Sequence, residues 1–127
     1  MLHEELTEKI IKAFYKVYNT LGYGFLEKVY ERAMCIELDK MGFGFKPQKP
    51  IKVYYDNQVI GDYSADIAVE DKVIVELKAS KKLSTDNEAQ LLNYLRATEM
   101  EIGLLFNFGK KPEFKRKIFT NDMKGLK

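Results

Sequence analysis

The sequence predicts an α/β fold of the α+β type, in which a mixed central β-sheet is flanked by helices. Apolar residues recur at helical spacing in the first third of the chain, and apolar and polar residues alternate in the middle third, as they do in strands. A further helical segment and two more β-like segments follow, which gives the order α-α-β-β-β-β-α-β-β. A sheet covered by helices buries the apolar faces of such a set of elements.

Size and composition favour one soluble domain spanning residues 1–127. The chain is 46% hydrophobic and 13% aromatic, which is enough for a core. Its net charge of +2 is too small to indicate a nucleic-acid-binding protein by itself. The single cysteine, Cys35, excludes an internal disulfide framework and fits a reducing compartment. No apolar run approaches the ~20 residues of a membrane span and no signal-peptide pattern is present, so we expect a cytoplasmic protein without membrane association.

Two amphipathic helices are predicted at the N-terminal end. The first extends from Leu6 to Leu21 and stops at Gly22, and the second extends from about Leu26 to Gly42. Glu27 lies in the first turn of the second helix. The helix dipole alone favours a carboxylate there, so a solvated N-terminal charge is one interpretation of Glu27.

The next segment, Phe43 to Tyr55, is β-like but is interrupted by Pro47 and Pro50. A short return strand is predicted over Gln58 to Ile60. Gly61 then allows a bend or bulge before a further hairpin. Three or four antiparallel strands are therefore expected before the third helix, and the order given above has four.

The C-terminal part of the chain is predicted to hold one helix and two strands. The segment Thr85 to Glu88 matches a capping box, and the helix continues to about Ala97. Residues 101–108 are almost continuously apolar and predict a buried strand. Residues 114–119 predict a basic edge strand, and residues 120–127 a frayed tail.

The hairpin before the third helix carries a pair of carboxylates. If residues 70–72 form the turn, antiparallel pairing sets Val69 against Val73 and Asp66 against Glu76. Both carboxylates then leave the same face of the hairpin. The other face is predicted to be apolar and to consist of Ala65, Ile67, Val69, Val73, Val75 and Leu77.

This face suggests phosphoryl-transfer chemistry. Two close carboxylates repel each other unless a cation or a proton intervenes, and Mg²⁺ is often held by one or two protein carboxylates. Lys78 shares the face of Asp66 and Glu76 and would place a positive charge beside a phosphate. An ordinary salt-bridged surface stripe is the alternative. The third helix adds Gln90 and Tyr94, which lie one turn apart.

These residues resemble the motifs of a known family. Asp66, Glu76–Lys78 and Gln90–Tyr94 resemble the motifs of the PD-(D/E)xK nuclease superfamily, the helical motif being similar to that of its RecB-like branch. The segment Gly24–Tyr30 resembles the signature of the small GxxExxY proteins of that superfamily. Ala65 stands where the proline of the superfamily's name would be. The resemblance implies a restriction-endonuclease-like core.

The resemblance also implies roles for individual residues. The catalytic residues would be Glu27, Asp66, Glu76, Lys78, Gln90 and Tyr94. The metal ligands would be Glu27, Asp66, Glu76 and the backbone carbonyl of Leu77. The expected cofactor is Mg²⁺, with Mn²⁺ as a substitute.

The expected function is metal-dependent hydrolysis of phosphodiester bonds in nucleic acid, with DNA as the expected substrate. The alternatives are a nucleic-acid-binding or regulatory protein that keeps the nuclease fold without useful turnover, and a purely structural interaction module. A homodimer is left open. Basic residues either line a phosphate track or serve solubility and edge protection: Lys46, Lys49, Lys52, Lys81, Lys82, Lys110, Lys111, Lys115, Arg116 and Lys117. Three strand tyrosines either stack on bases or pack in the sheet: Tyr54, Tyr55 and Tyr63.

Overall fold

A computed structural model describes residues 2–125 of the chain. The elements in chain order are α1 (Glu4–Leu21), α2 (Glu27–Lys40), β1 (Phe45–Tyr55), β2 (Gln58–Val69), β3 (Val73–Lys78), α3 (Thr85–Arg96), β4 (Ile102–Phe108), β5 (Pro112–Ile118) and a short 3-10 helix (Asn121–Met123).

The five strands form one mixed sheet in the order β1-β2-β3-β4-β5. All neighbouring strands are antiparallel except β3 and β4, which are parallel and are joined through α3. A parallel pair needs such a crossover connection because the chain must return to the same end of the sheet. The predicted α+β class with a helix-flanked mixed sheet is confirmed, and it is consistent with a restriction-endonuclease-like core.

Three strands precede the third helix, which is the lower of the two expected numbers, so the element order with four strands is wrong. β1 continues through Pro47 and Pro50. It is an edge strand, where proline is tolerated because an N–H on the open side has no ladder partner to lose. Gly61 lies inside β2 opposite Val53, and the register shifts between Val53 and Tyr54. The expected bend is therefore a bulge within a continuous strand.

Helices cover both faces of the sheet and create two clusters of buried side chains. The larger cluster packs α1 and α2 against one face and includes Ile67, Val75 and Leu77. The smaller cluster packs α3 against the other face and includes Ala65 and Ala68. Ala65 was predicted to share the face of Ile67, which is wrong. The alternation of β2 is broken between Ala65 and Ala68, where the pairing with β3 ends at Ile67.

The N-terminus of α3 is capped one residue earlier than predicted. Ser84 is the N-cap, its side chain accepts a hydrogen bond from the Asn87 backbone N–H at 3.1 Å, and the Asn87 side chain accepts one from the Ser84 N–H at 3.1 Å. The predicted box of Thr85 and Glu88 is therefore corrected to Ser84 and Asn87. Asn87 serves because its side-chain oxygen accepts a hydrogen bond as that of glutamate does.

Ser84→Ala is expected to lower the free energy of unfolding by about 1 kcal/mol, because an N–H of the first turn of α3 loses its acceptor. Urea denaturation measures this loss. The matched control is Thr85→Ala, which removes a neighbouring hydroxyl that makes no hydrogen bond within residues 2–125. A larger loss in Thr85→Ala than in Ser84→Ala would contradict the assignment of the cap.

The C-terminal segment is held to the body of the protein, so the expectation of a frayed tail was wrong over residues 120–125. The Lys124 ammonium donates to the carbonyl oxygens of Thr98 at 2.8 Å and Met100 at 2.7 Å. Residues 126–127 lie outside the described part. Within residues 2–125, no helix combines the length and the apolar character that a membrane span requires.

Candidate active site

Asp66 and Glu76 form an interlocked pair of carboxylates at the point where the pairing of β2 with β3 ends: each carboxylate accepts a hydrogen bond from the backbone of the opposite strand. Val69 pairs with Val73, as predicted, and the last pair of this register is Ile67 with Val75, directly before Asp66 and Glu76. The Asp66 backbone N–H donates to Glu76 Oε2 at 2.7 Å, and the Leu77 N–H donates to Asp66 Oδ2 at 2.7 Å. Each carboxylate is thus fixed by the backbone of the opposite strand. No hydrogen bond within the described residues uses the second oxygen of either group, which leaves Asp66 Oδ1 and Glu76 Oε1 available to a ligand.

Burial makes this pair costly to ionise. Glu76 is only 4% exposed, and burial together with the charge of Asp66 raises the pKa of Glu76 to about 8. Burial also raises the pKa of Asp66, against the effect of the hydrogen bond from Leu77. A cation between the two groups would remove both the repulsion and the need for a proton.

Glu27 and Lys78 face the same pair from two different elements. Glu27 Oε2 accepts a hydrogen bond from the Ala79 N–H at 3.3 Å, so the start of α2 touches the chain directly after β3. Burial has the largest effect and raises the pKa of both Asp66 and Glu76. The Lys78 charge lowers both pKa values, whereas the Glu27 charge raises them. Lys78 is partly buried and forms no salt bridge within residues 2–125.

The two residues of α3 differ in their relation to the site. Tyr94 is buried, and burial followed by the charges of Glu76 and Asp66 raises its pKa to about 12. Tyr94 therefore lies close to the carboxylates. Gln90 lies one turn away on the wall of a cleft of about 490 Å³ that Tyr94 also lines, and none of its hydrogen bonds within residues 2–125 reaches the carboxylates.

A fourth carboxylate, Glu31, was missed in the sequence. It is buried on α2, accepts hydrogen bonds from the side chains of Gln48 and Lys28, and is among the charges that raise the pKa of Asp66. Gln48 lies on β1 between Pro47 and Lys49, which pair with Ile67 and Ala65 on either side of Asp66. The sequence signal that could have identified Glu31 is its spacing from Glu27. Glu31 follows Glu27 by four residues and therefore lies on the same face of α2.

The loop before α2 is held by Tyr30. The buried Tyr30 hydroxyl donates to the Gly22 carbonyl at 2.8 Å and accepts from the Phe25 N–H at 3.2 Å, while its ring stacks on Phe108 at 4.0 Å. Gly24 has a φ of 109°, a conformation that side chains other than glycine's rarely adopt. Tyr30 is therefore a structural residue that fixes where α2, and with it Glu27, begins.

Tyr30→Phe is expected to lower the free energy of unfolding by about 1–2 kcal/mol, because the Phe25 N–H loses its acceptor and the Gly22 carbonyl its donor. Urea denaturation of the two proteins tests this. Tyr15→Phe is the control, since the Tyr15 hydroxyl makes no hydrogen bond in the described part of the chain. Equal stability of wild type and Tyr30→Phe would show that these hydrogen bonds contribute nothing.

The donor set suits a hard divalent cation. Carboxylate and carbonyl oxygens are the ligands that Mg²⁺ takes, and two free carboxylate oxygens with water suffice for it. Within residues 2–125, no three His, Cys, Asp or Glu side chains are grouped closely enough to form a complete ligand set. The interlocked pair of Asp66 and Glu76 lies at the centre of the candidate metal site. The Glu27 carboxylate accepts a hydrogen bond from the Ala79 N–H.

The fold and the site together define a nuclease-like protein. A sequence profile of the PD-(D/E)XK nuclease superfamily matches residues 4–117, and the chain belongs to this superfamily. Proteins of the superfamily generally cleave phosphodiester bonds. Among curated proteins, none matches the chain.

A solved structure shares the fold. The crystal structure of SSO0001 superposes with a TM-score of 0.56 at 15% sequence identity, over 76% of this chain and 52% of that one. At this identity the likeness shows the fold alone. This chain spans about half the length of SSO0001.

Proposed function

We propose that this protein is a Mg²⁺-dependent nuclease of the GxxExxY group that hydrolyses phosphodiester bonds of DNA. The observation that carries the proposal is the interlocked pair of Asp66 and Glu76 with Lys78 beside it, in a chain of the PD-(D/E)XK superfamily. We also propose a cytoplasmic location. A homodimer stays a prediction.

The site residues divide the work between metal binding and charge neutralisation. Asp66, Glu76 and the Leu77 carbonyl would hold the cation, and Glu27 would complete the set. When bound, the cation supplies an activated water and stabilises the charge on the leaving oxygen. Lys78 orients the attacking water and neutralises the phosphate.

Tyr94 serves as a hydrogen-bond donor in this proposal. With a pKa of about 12, its hydroxyl keeps its proton at neutral pH. It can therefore donate to a phosphate oxygen or to a carboxylate of the pair, but it does not act as a general base. Gln90 is placed to contact the strand rather than the metal.

The basic residues are not equally available to a phosphate backbone. Lys46 pairs with Asp71 at 3.6 Å and Lys117 with Glu88 at 2.6 Å, which supports a structural role for both lysines. Lys81, by contrast, lines a cleft together with Glu27 and forms no salt bridge within residues 2–125. Phosphate contacts are thus proposed beside the site rather than along the whole C-terminal edge.

Cleavage of labelled single-stranded and double-stranded DNA in Mg²⁺, Mn²⁺ or EDTA tests the proposal. We expect cleavage with either metal, no cleavage in EDTA, and a loss of more than about a hundredfold in Asp66→Asn, because a direct metal ligand is removed. The matched control is Asp62→Asn, an exposed carboxylate on the same strand.

Two results would contradict the proposal: no cleavage by the wild type, or equal cleavage by Asp66→Asn. Tight DNA binding that ignores Mg²⁺ and survives Asp66→Asn would instead support the nucleic-acid-binding or regulatory alternative. Binding of neither metal nor DNA would leave a structural interaction module.

A further inference from the structure

We propose that the cleft beside Glu27 is a stacking subsite for an unpaired nucleobase next to the scissile phosphate, so that the substrate is single-stranded at that position. This inference rests on the proposed nuclease function and names its substrate class.

The cleft joins an apolar wall and a basic wall at the edge of the candidate active site. Its volume is about 610 Å³, within the range of small-ligand sites. Glu27 and Ala79, which are hydrogen-bonded to each other, belong to both the cleft and the site. The apolar wall is the loop before α2, with Tyr23, Phe25 and Leu26, and the basic wall carries Lys81 and Lys110.

The apolar wall is exposed, and one of its side chains, Phe25, is held in place. Tyr23, Phe25 and Leu26 are 55%, 48% and 81% exposed. Phe25 is fixed by its N–H, which donates to the Tyr30 hydroxyl, and by its ring, which meets the Tyr30 ring edge-on at 6.1 Å. Three exposed apolar side chains beside a candidate active site, one of them a ring held in place, indicate a surface that a ligand covers.

The backbone segments that carry the basic wall are also held in place. The Tyr18 hydroxyl contacts the carbonyl oxygens of Gly109 and Lys110, each at 2.7 Å. A Cβ on Gly109 would lie 2.5 Å from the Ser80 carbonyl oxygen, so the segments that carry Lys81 and Lys110 pack closely together. Neither lysine forms a salt bridge within the described residues, and both remain available to an anion.

Aromatic side chains and two lysines without salt bridges in the described part of the chain line one cleft, and together they match a nucleotide in a single strand. Its base stacks on the aromatic ring and its phosphates pair with the lysines. In a duplex the base faces are stacked on each other and cannot reach Phe25. A protein partner would also cover the apolar wall, but it would not need the two lysines, and so the charge favours nucleic acid.

The test compares wild type with a Tyr23→Leu/Phe25→Leu variant, which keeps the apolar contact with Tyr30 and removes the aromatic faces. Binding to a single-stranded oligonucleotide containing 2-aminopurine and to its duplex is measured in EDTA, which prevents metal-dependent cleavage. The probe's fluorescence is clean because the protein has no tryptophan. We expect stacking to quench the probe in wild type, and the variant to lose the quenching and bind the single strand about tenfold more weakly, with duplex binding unchanged.

Two further variants keep the test decisive. Leu26→Ser removes an apolar side chain at the N-cap of α2, where serine is a preferred residue, so weaker single-strand binding in this variant cannot be assigned to a destabilised helix. Tyr55→Leu is the aromatic control, because Tyr55 is exposed at the end of β1 and lines none of the clefts described here.

The inference is overturned if wild type does not bind the single strand, if the double variant binds it normally, or if Tyr55→Leu causes the same loss. A peptide-binding cleft would leave both DNA readouts unchanged and would also overturn it. Quenching by wild type without any cleavage in Mg²⁺ would support the subsite and contradict only the nuclease proposal, so the two failures are distinguishable.

Discussion

Lys78→Met is expected to slow Mg²⁺-dependent DNA cleavage by about 10²–10³-fold, because the positive charge that meets the phosphate is lost. The substitution acts on the carboxylates as well. Although burial dominates their pKa values, the Lys78 charge lowers both, and its removal raises the pKa of Asp66 and Glu76 further. Metal binding near neutral pH should therefore change in the same variant, through stronger competition by protons and through the loss of a charge that repels the cation.

Single-turnover cleavage at saturating Mg²⁺ separates these two effects, since excess metal restores occupancy but not the lost charge. Lys72→Met is the matched control, because Lys72 is exposed in the turn of the same hairpin and forms no salt bridge within residues 2–125. Cleavage by Lys78→Met at the wild-type rate would exclude Lys78 from the reaction.

Glu76→Gln is expected to stabilise the metal-free protein at alkaline pH while it abolishes cleavage. The pKa of Glu76 is about 8 in the folded protein, against the ordinary glutamate value of 4.5 in an unfolded chain. Between these values the folded protein holds a proton that the unfolded chain has released, so wild-type stability falls as the pH rises through this window. The loss is on the order of a few kcal/mol, and the glutamine variant lacks it.

Urea denaturation across this pH window, with and without Mg²⁺, measures the effect. Mg²⁺ should remove most of the pH dependence in wild type, because the cation binds the ionised carboxylates, and it should have no such effect in Glu76→Gln. Parallel pH profiles of the two metal-free proteins would show that Glu76 is not the group responsible. Asp62→Asn again serves as the control for an exposed carboxylate.

Local rules predicted the centre of the site because strand geometry is periodic. A turn at residues 70–72 and alternation of side chains are enough to place Asp66 opposite Glu76. The alternation of side chains between the two faces failed at Ala65, the residue before Asp66, because the rule assumes that β2 stays paired with β3. Hydrogen bonds from the backbone to the carboxylates replace the regular ladder at that point.

The remaining differences come from contacts between distant parts of the chain. Glu31 is buried because Gln48 of another element meets it, which no local pattern reveals. Tyr30 sits within the motif that suggested Glu27, yet its role became clear only from its stacking on Phe108, 78 positions later in the sequence. Glu27 itself was placed near the carboxylates by the family resemblance, since its position on α2 alone fits an ordinary helix start.

The hydrogen bonds of the interlocked pair make two backbone amides sensitive to the protonation state of Asp66 and Glu76. The N–H groups of Asp66 and Leu77 donate to carboxylate oxygens of the opposite strand. Their hydrogen–deuterium exchange should therefore respond to protonation or substitution of the carboxylates, while amides at the Ile67–Val75 pairing should not. Two NMR signals would then report the state of the site in the absence of any substrate.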